Sequence, residues 1–255
     1  MAIKGILFDL GSTLIEFHGE WNDVMWRGAR AQIDFFLAHG LQLDPESFLK
    51  RHRELIMQFI DKGAQDWIEY SSDKALKLAL AEFGYDDAPQ TLIDESLKEL
   101  YTYGETLWRP FPDTYATLDM LRNTGYRLAI VSNARDAGNV HRLIDNSHLR
   151  PWFDPILISA EFGVRKPNPR IFKAVLDQWN ASPGEAVMVG DMLGADVLGA
   201  KNAGMRSIWA TMQADRSAND VHRDTIVPDG TITSLSELIP ILENWADSQS
   251  GSRVV

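Results

Sequence analysis

At 255 residues, 45% hydrophobic and 24% charged, the chain has the size and composition of one large globular domain or of a core with an insert. It has no cysteine, which excludes disulfides, thiolate zinc sites and cysteine nucleophiles. A formal net charge of −11 argues against general nucleic-acid or anionic-membrane binding, and any anionic substrate must meet positive charge gathered locally.

Ile3 to Phe8 reads as a buried strand, an apolar run that ends in Asp9 and a turn-prone Gly11-Ser12-Thr13. From about Glu20 to Tyr103 the pattern becomes helical. Trp21 to His39 carries Val24, Met25, Ala29, Ile33, Phe36 and Leu37 at three- and four-residue spacing. Asp44-Pro45-Glu46 has the chemistry of a helix start, with Asp44 as N-cap and Pro45 in the first turn; that helix runs through Phe48, Leu55, Phe59 and Ile60. Ser72 to Phe83, stopped by Gly84, and Ala88 to Tyr103 make two more. After Arg109-Pro110-Phe111-Pro112 the rhythm changes again. Asp113–Asn123 is a helix, Tyr126–Val131 a strand, Ile156–Ser159 a short strand and Pro169–Asn180 a helix. Ala186–Gly190 is a strand, Asp196–Ala203 a helix, Arg206–Ala210 a strand and Ser234–Trp245 a final amphipathic helix, before a tail from Asp247 expected to be mobile.

Alternating strands and helices specify an α/β fold, a Rossmann-like, doubly wound parallel sheet. The helical block interrupts it directly after the first strand. The expected organisation is a core of residues 1–16 and 107–246, a helical cap of 17–106 inserted into it, and a tail of 247–255. The N-terminus lacks a signal-peptide pattern and no stretch is apolar for the length of a membrane span, so a cytoplasmic location is the expectation.

Four predicted strand ends or loops carry polar residues: Asp9-Leu10-Gly11-Ser12-Thr13, then Ser132-Asn133, then Gly163-Val164-Arg165-Lys166-Pro167, then Gly190-Asp191 continuing to Asp196. Singly, each has a plain explanation: a turn cap, a strand-to-loop cap, a solvated loop lysine, a helix start. Together, in this order, they resemble the haloacid dehalogenase-like superfamily of hydrolases, with the helical insert where that family carries its α-helical cap. The resemblance implies that Asp9 is a nucleophile attacking phosphorus and that Lys166 balances charge on nucleophile and phosphate. It implies phosphate contacts from Thr13, Ser132 and Asn133. It implies Mg²⁺ held by Asp9, Asp191 and the Gly11 backbone carbonyl, with Asp196 in support. Two carboxylates and a phosphate are the ligand set that Mg²⁺ favours. The implied partner is a small phosphorylated metabolite. Oligomeric state is not specified.

The sequence departs from the phosphatases of that superfamily at Gly11, where they usually carry a second aspartate as general acid and base. Glycine keeps a backbone ligand and loses the proton-transfer group, a loss of about 10²–10⁴-fold for a positioned acid or base. Glu16, His18, Glu20 and Asp23 follow closely enough to be considered as substitutes. Three other readings fit the residues less well. A 2-haloacid dehalogenase needs no second acid, but leaves Asp191 and Asp196 uncompensated beside an anionic substrate. Carbon–phosphorus cleavage needs a cap lysine, from Lys50, Lys62, Lys74 or Lys77. A non-catalytic binding protein leaves Asp9, Lys166 and Asp191 without a purpose. Arg135 and Arg165 are further anion-contact candidates.

Overall fold

The computed structural model describes residues 2–213 and 217–250, with backbone alone for the last three. Strand β1 (Gly5–Phe8) is buried throughout and leads through the turn after Asp9 into β2 (Ile15–Phe17). Four helices follow: α1 (Trp21–Ala38), α2 (Pro45–Asp66), α3 (Ser72–Glu82) and α4 (Gln90–Glu105). Asp44 caps α2 as its sequence specifies, its carboxylate accepting from the Ser47 amide at 3.0 Å. The chain returns to the core through β3 (Trp108–Pro110), which pairs antiparallel with β2, Phe17 opposite Trp108. This pair, absent from the sequence reading, is the tether of the helical insert. The insert has its own core, in which Ile33, Phe36, Phe48, Leu76, Leu80 and Ile93 are nearly inaccessible.

The remainder alternates. In order come α5 (Thr114–Asn123), β4 (Arg127–Ser132), α6 (Ala137–Asn146), β5 (Ile156–Ile158), α7 (Ser159–Phe162) and α8 (Pro169–Trp179). Next are β6 (Ala186–Gly190), a wide π-helical turn over Leu193–Val197, α9 (Leu198–Asn202), β7 (Arg206–Ala210), α10 (Ser217–Asp220), β8 (Gly230–Ile232) and α11 (Leu238–Ser250). Six strands form one parallel sheet in the order β5-β4-β1-β6-β7-β8. Both faces are covered, as an all-parallel sheet requires. Ile6 and Phe8 face α5, α6 and α11; Leu7 faces α8 and α9.

The fold is thus a doubly wound, Rossmann-like α/β core with an inserted helical domain. The sequence reading omitted α6 and β8, and it began one helix at Asp196 where the structure has the π-helical turn from Leu193. The expected mobile tail began at Asp247, but α11 continues to Ser250; residues 251–255 lie outside the described residues. Among the described residues no helix is long and apolar enough to cross a membrane.

Candidate active site

Three neighbouring strands end at one place on the carboxyl edge of the sheet, where open α/β folds bind ligands. Phe8 is level with Ile130 on one side and Val189 on the other. Asp9 therefore emerges between Val131-Ser132 and Gly190-Asp191, and its amide donates to the Val189 carbonyl at 2.9 Å. The sheet register places these groups together before any side chain is considered.

Lys166 enters from the loop before α8. Its Nζ lies 2.7 Å from Asp9 Oδ1, 2.7 Å from Asp196 Oδ1 and 2.6 Å from the Val131 carbonyl. The lysine side chain is 1% exposed. Asn133 was expected on the phosphate; the structure gives it another task. Its carboxamide nitrogen donates to the Lys166 carbonyl at 2.9 Å and its oxygen accepts the Lys166 amide at 2.8 Å. It clasps the lysine backbone and fixes where the ammonium points.

Asp196 is 1% exposed, and its other oxygen accepts the Met192 amide at 2.9 Å. Gly190 makes room for it. A β-carbon on Gly190 would lie 2.2 Å from Asp196 Cγ, so any side chain there evicts the carboxylate. Asp191 is 2% exposed, and its carbonyl accepts from Trp209 Nε1 at 2.9 Å and Asn219 Nδ2 at 3.0 Å. Asn219 also takes the Leu193 amide at 2.9 Å, so it shapes the loop that aims Asp191; nothing in the sequence had pointed to it. One oxygen each of Asp9, Asp191 and Asp196 lie within 4.8 Å of one another.

Burial pushes the Asp196 carboxyl up to about 6; Lys166 pulls it down and Asp9 adds to the rise. Burial also opposes the charge of Lys166, but Asp196 and Asp9 outweigh it and raise its pKa above that of a free lysine. The Lys166 ammonium therefore keeps its proton through the neutral range.

The turn after Asp9 is tight. Ser12 is left-handed at φ 61°, its amide donates to the Ile15 carbonyl, and the Leu14 amide returns to Leu10 at 2.9 Å. Thr13 is fully buried and its hydroxyl oxygen makes no hydrogen bond within the described residues, a group costly to leave unmatched. Ser132 closes β4, 6% exposed. Three of the four candidate substitutes for a general acid already have side-chain partners. Glu16 and His18 pair at 3.1 Å, and Asp23 is held by Arg27 and Tyr103. Of the insert lysines, Lys62 lies over the Tyr70 ring at 4.6 Å and Lys77 pairs with Asp73 at 3.6 Å.

Beside Lys166 the insert is seated on the core. Ile68 bridges Val164, the Arg165 amide donates to the Trp67 carbonyl at 3.0 Å, and the Glu69 amide donates to the Gly163 carbonyl at 3.1 Å. Buried Glu69 accepts from Ser159 Oγ at 2.7 Å, and Arg165 stands 3.8 Å from the same carboxylate. Arg165 thus serves this seam. Burial pushes Glu69 above its ordinary carboxyl range, against the pull of Arg165 and Ser159. Arg142 on α6 pairs with Glu105 of α4 at 2.8 Å. Arg135 approaches His52 of α2, which is 4% exposed; burial, then the Arg135 charge, lowers His52 from 6.5 to about 4. The folded state therefore holds fewer protons on His52 than the unfolded chain between pH 6.5 and 4. Its stability contribution is intact above 6.5 and is lost as pH falls through that window, by up to about 3 kcal/mol. Urea midpoints at pH 7 and 4.5 should fall less in His52→Leu than in the native protein; equal falls would refute the assignment.

Residues 3–204 match the family model of haloacid dehalogenase-like hydrolases. A glyceraldehyde 3-phosphate phosphatase of Methanothermobacter thermautotrophicus is 29% identical over 94% of this chain and 100% of its own. The crystal structure of a 2-haloacid dehalogenase from Pseudomonas syringae pv. Tomato superposes with a TM-score of 0.70 at 27% identity, covering 95% of this chain and 99% of that one. A haloacid dehalogenase-like phosphatase from Thermococcus onnurineus gives 0.64 at 28% identity, covering 94% and 98%.

Proposed function

We propose that this chain, which belongs to the haloacid dehalogenase-like hydrolase family, is a magnesium-dependent phosphatase of a small phosphorylated metabolite that works through a phosphorylated Asp9. The observation that carries the reading is the buried cluster of Asp9, Asp191 and Asp196 around one lysine. Three carboxylates against one ammonium leave an excess of negative charge where a negative substrate must bind. A divalent cation resolves that conflict, and oxygen donors at this spacing suit Mg²⁺. Asp9, Asp191 and the Gly11 carbonyl would hold it, while Asp196 is occupied with Lys166 and the Met192 amide. Bound there, Mg²⁺ would neutralise charge on the transferring phosphoryl group.

The chain's own residues do the rest. Lys166 fixes Asp9 Oδ1 and balances charge as the Asp9 carboxylate attacks phosphorus. The bond from phosphorus to the leaving oxygen breaks, and that oxygen leaves with the electron pair. Thr13 and Ser132 donate to phosphoryl oxygens; Asn133 positions Lys166. Water then attacks phosphorus, Asp9 is released as carboxylate, and the water proton passes to phosphate or solvent. Residues 17–106 act as a cap over a core of 1–16 and 107–246, closing on substrate. The acidic chain works in the cytoplasm, without nucleic acid or membrane.

A relative named glyceraldehyde 3-phosphate phosphatase supports the substrate class. The likeness to a 2-haloacid dehalogenase and the missing second acid favour dehalogenation as a second reading. Against it stand Asp191 and Asp196, which repel a halocarboxylate in a buried site unless a cation is present.

With no side chain at residue 11 to protonate the leaving oxygen, acetyl phosphate should be hydrolysed with a kcat/KM at least about 10²-fold above that for glycerol 3-phosphate. The measurement is phosphate release with and without Mg²⁺. Equal rates on the two would mean that an acid is supplied from elsewhere. Absence of release from both, with halide released from 2-chloropropionate without metal, would replace this reading by dehalogenation.

A further inference from the structure

A side chain at residue 11 would press against an indole. A β-carbon on Gly11 would lie 3.2 Å from Trp108 Cη2 and 3.5 Å from Cζ3. Gly11 is not among the residues with positive φ, so its backbone does not demand glycine. The indole edge stands instead where the side chain would project, two residues beyond Asp9.

Trp108 is one of three rings. Phe17 lies opposite it in the β2–β3 pair, with ring centroids 5.2 Å apart at 53°. Trp21 stacks on Phe17 at 4.1 Å and 15° and meets Trp108 edge-on at 6.1 Å and 65°. Gln213 ties this panel to the nucleophile turn, its Oε1 lying 3.3 Å from the Phe17 amide and 3.4 Å from Ser12 Oγ. Trp21 remains 52% exposed, so the panel is open to solvent on one side. The three rings contribute no acid and no base.

We propose that Trp108, backed by Phe17 and Trp21, is the specificity-determining contact for the leaving group, and that it selects flat, apolar leaving groups of low basicity, aryl phosphates foremost. This rests on the phosphatase reading. Two independent constraints converge on residue 11. Chemically, a site without an acid there needs a leaving oxygen that departs as an anion, as an aryl oxide does. Sterically, the group attached to that oxygen meets an indole rather than a carboxylate, and an aromatic ring packs well there in offset or edge-on geometry. Small polar alkyl groups gain nothing from the panel.

The test separates binding from turnover. Phenylphosphonate and methylphosphonate carry the same anion and differ only in the group that faces the panel. Calorimetry with Mg²⁺ should show phenylphosphonate binding about tenfold tighter, a difference of about 1.4 kcal/mol. Trp108→Phe should keep that ratio. Trp108→Ala should bring it near one, as should Trp108→Leu, which keeps an apolar side chain and guards against a folding defect checked by circular dichroism. A ratio near one in the native protein, binding of neither phosphonate, or a ratio unchanged in Trp108→Leu would overturn the proposal. The phosphatase reading fails on a different observation, the absence of Asp9-dependent phosphate release, which leaves the binding ratio measurable.

Discussion

Asp9→Asn should reduce phosphate release from acetyl phosphate by at least about 10⁴-fold while leaving the fold intact, as expected when a nucleophile is removed. The substitution is nearly isosteric. The amide retains a carbonyl oxygen for Lys166, and Lys166 keeps Asp196 and the Val131 carbonyl, so the ammonium stays in place. What disappears is an oxygen able to form a bond to phosphorus. The urea midpoint should therefore change little, and activity should vanish. Turnover above about one part in a hundred would mean that another group attacks phosphorus, and the aspartyl-phosphate mechanism would have to be abandoned.

Lys166→Met should damage both stability and activity, and Mg²⁺ should mend part of the first. The ammonium faces a carboxylate that is 1% exposed and another that is 14% exposed, and burial already strains the ionised form of Asp196. Removing one partner of a buried ion pair costs about 3–5 kcal/mol, because the other charge is left uncompensated. A methionine fills the volume, so the loss reads as charge rather than cavity. Added Mg²⁺ should raise the melting temperature of the variant more than that of the native protein, since it supplies positive charge that the native site partly has. Phosphate release should fall by about 10³-fold, the order expected for one preorganised charge contact to a transition state. An unchanged urea midpoint would show that the cluster is not held together by this lysine.

Much of this was legible in the sequence because strands deliver residues to predictable places. Asp9, Ser132 and Asp191 each follow an apolar run, and parallel pairing brings the ends of such runs to one edge. Asp44-Pro45 announced its helix through chemistry local to four residues. The parts that escaped rest on contacts without local signature. Strands β2 and β3 are three residues each, too short for a period, and they pair across the whole insert. Asn133 looked like a ligand contact because it follows Ser132, yet its partner is a peptide 33 residues away. Asn219 reaches back 28 residues to Asp191, and Glu69 spans 90 residues to Ser159. Helix α6 had a usable cue that went unread: Asp136 caps it by accepting the Asn139 amide at 2.6 Å. The absence at Gly11 was visible in the sequence, but the indole that packs against that position, 97 residues later, was not.

The β2–β3 pair has a consequence for how recognition is transmitted. Trp108 belongs to one of the two strands from which the insert hangs, and α4 ends three residues before it. A leaving group bound as proposed, against that indole, would push on the strap itself. On the two proposals above, ligand choice and closure of the insert would be one mechanical coordinate: whichever leaving group fits the ring best would also shift the balance of open and closed forms, by the difference in its affinity for the two. Discrimination would then be visible in the posture of the molecule before any bond is broken.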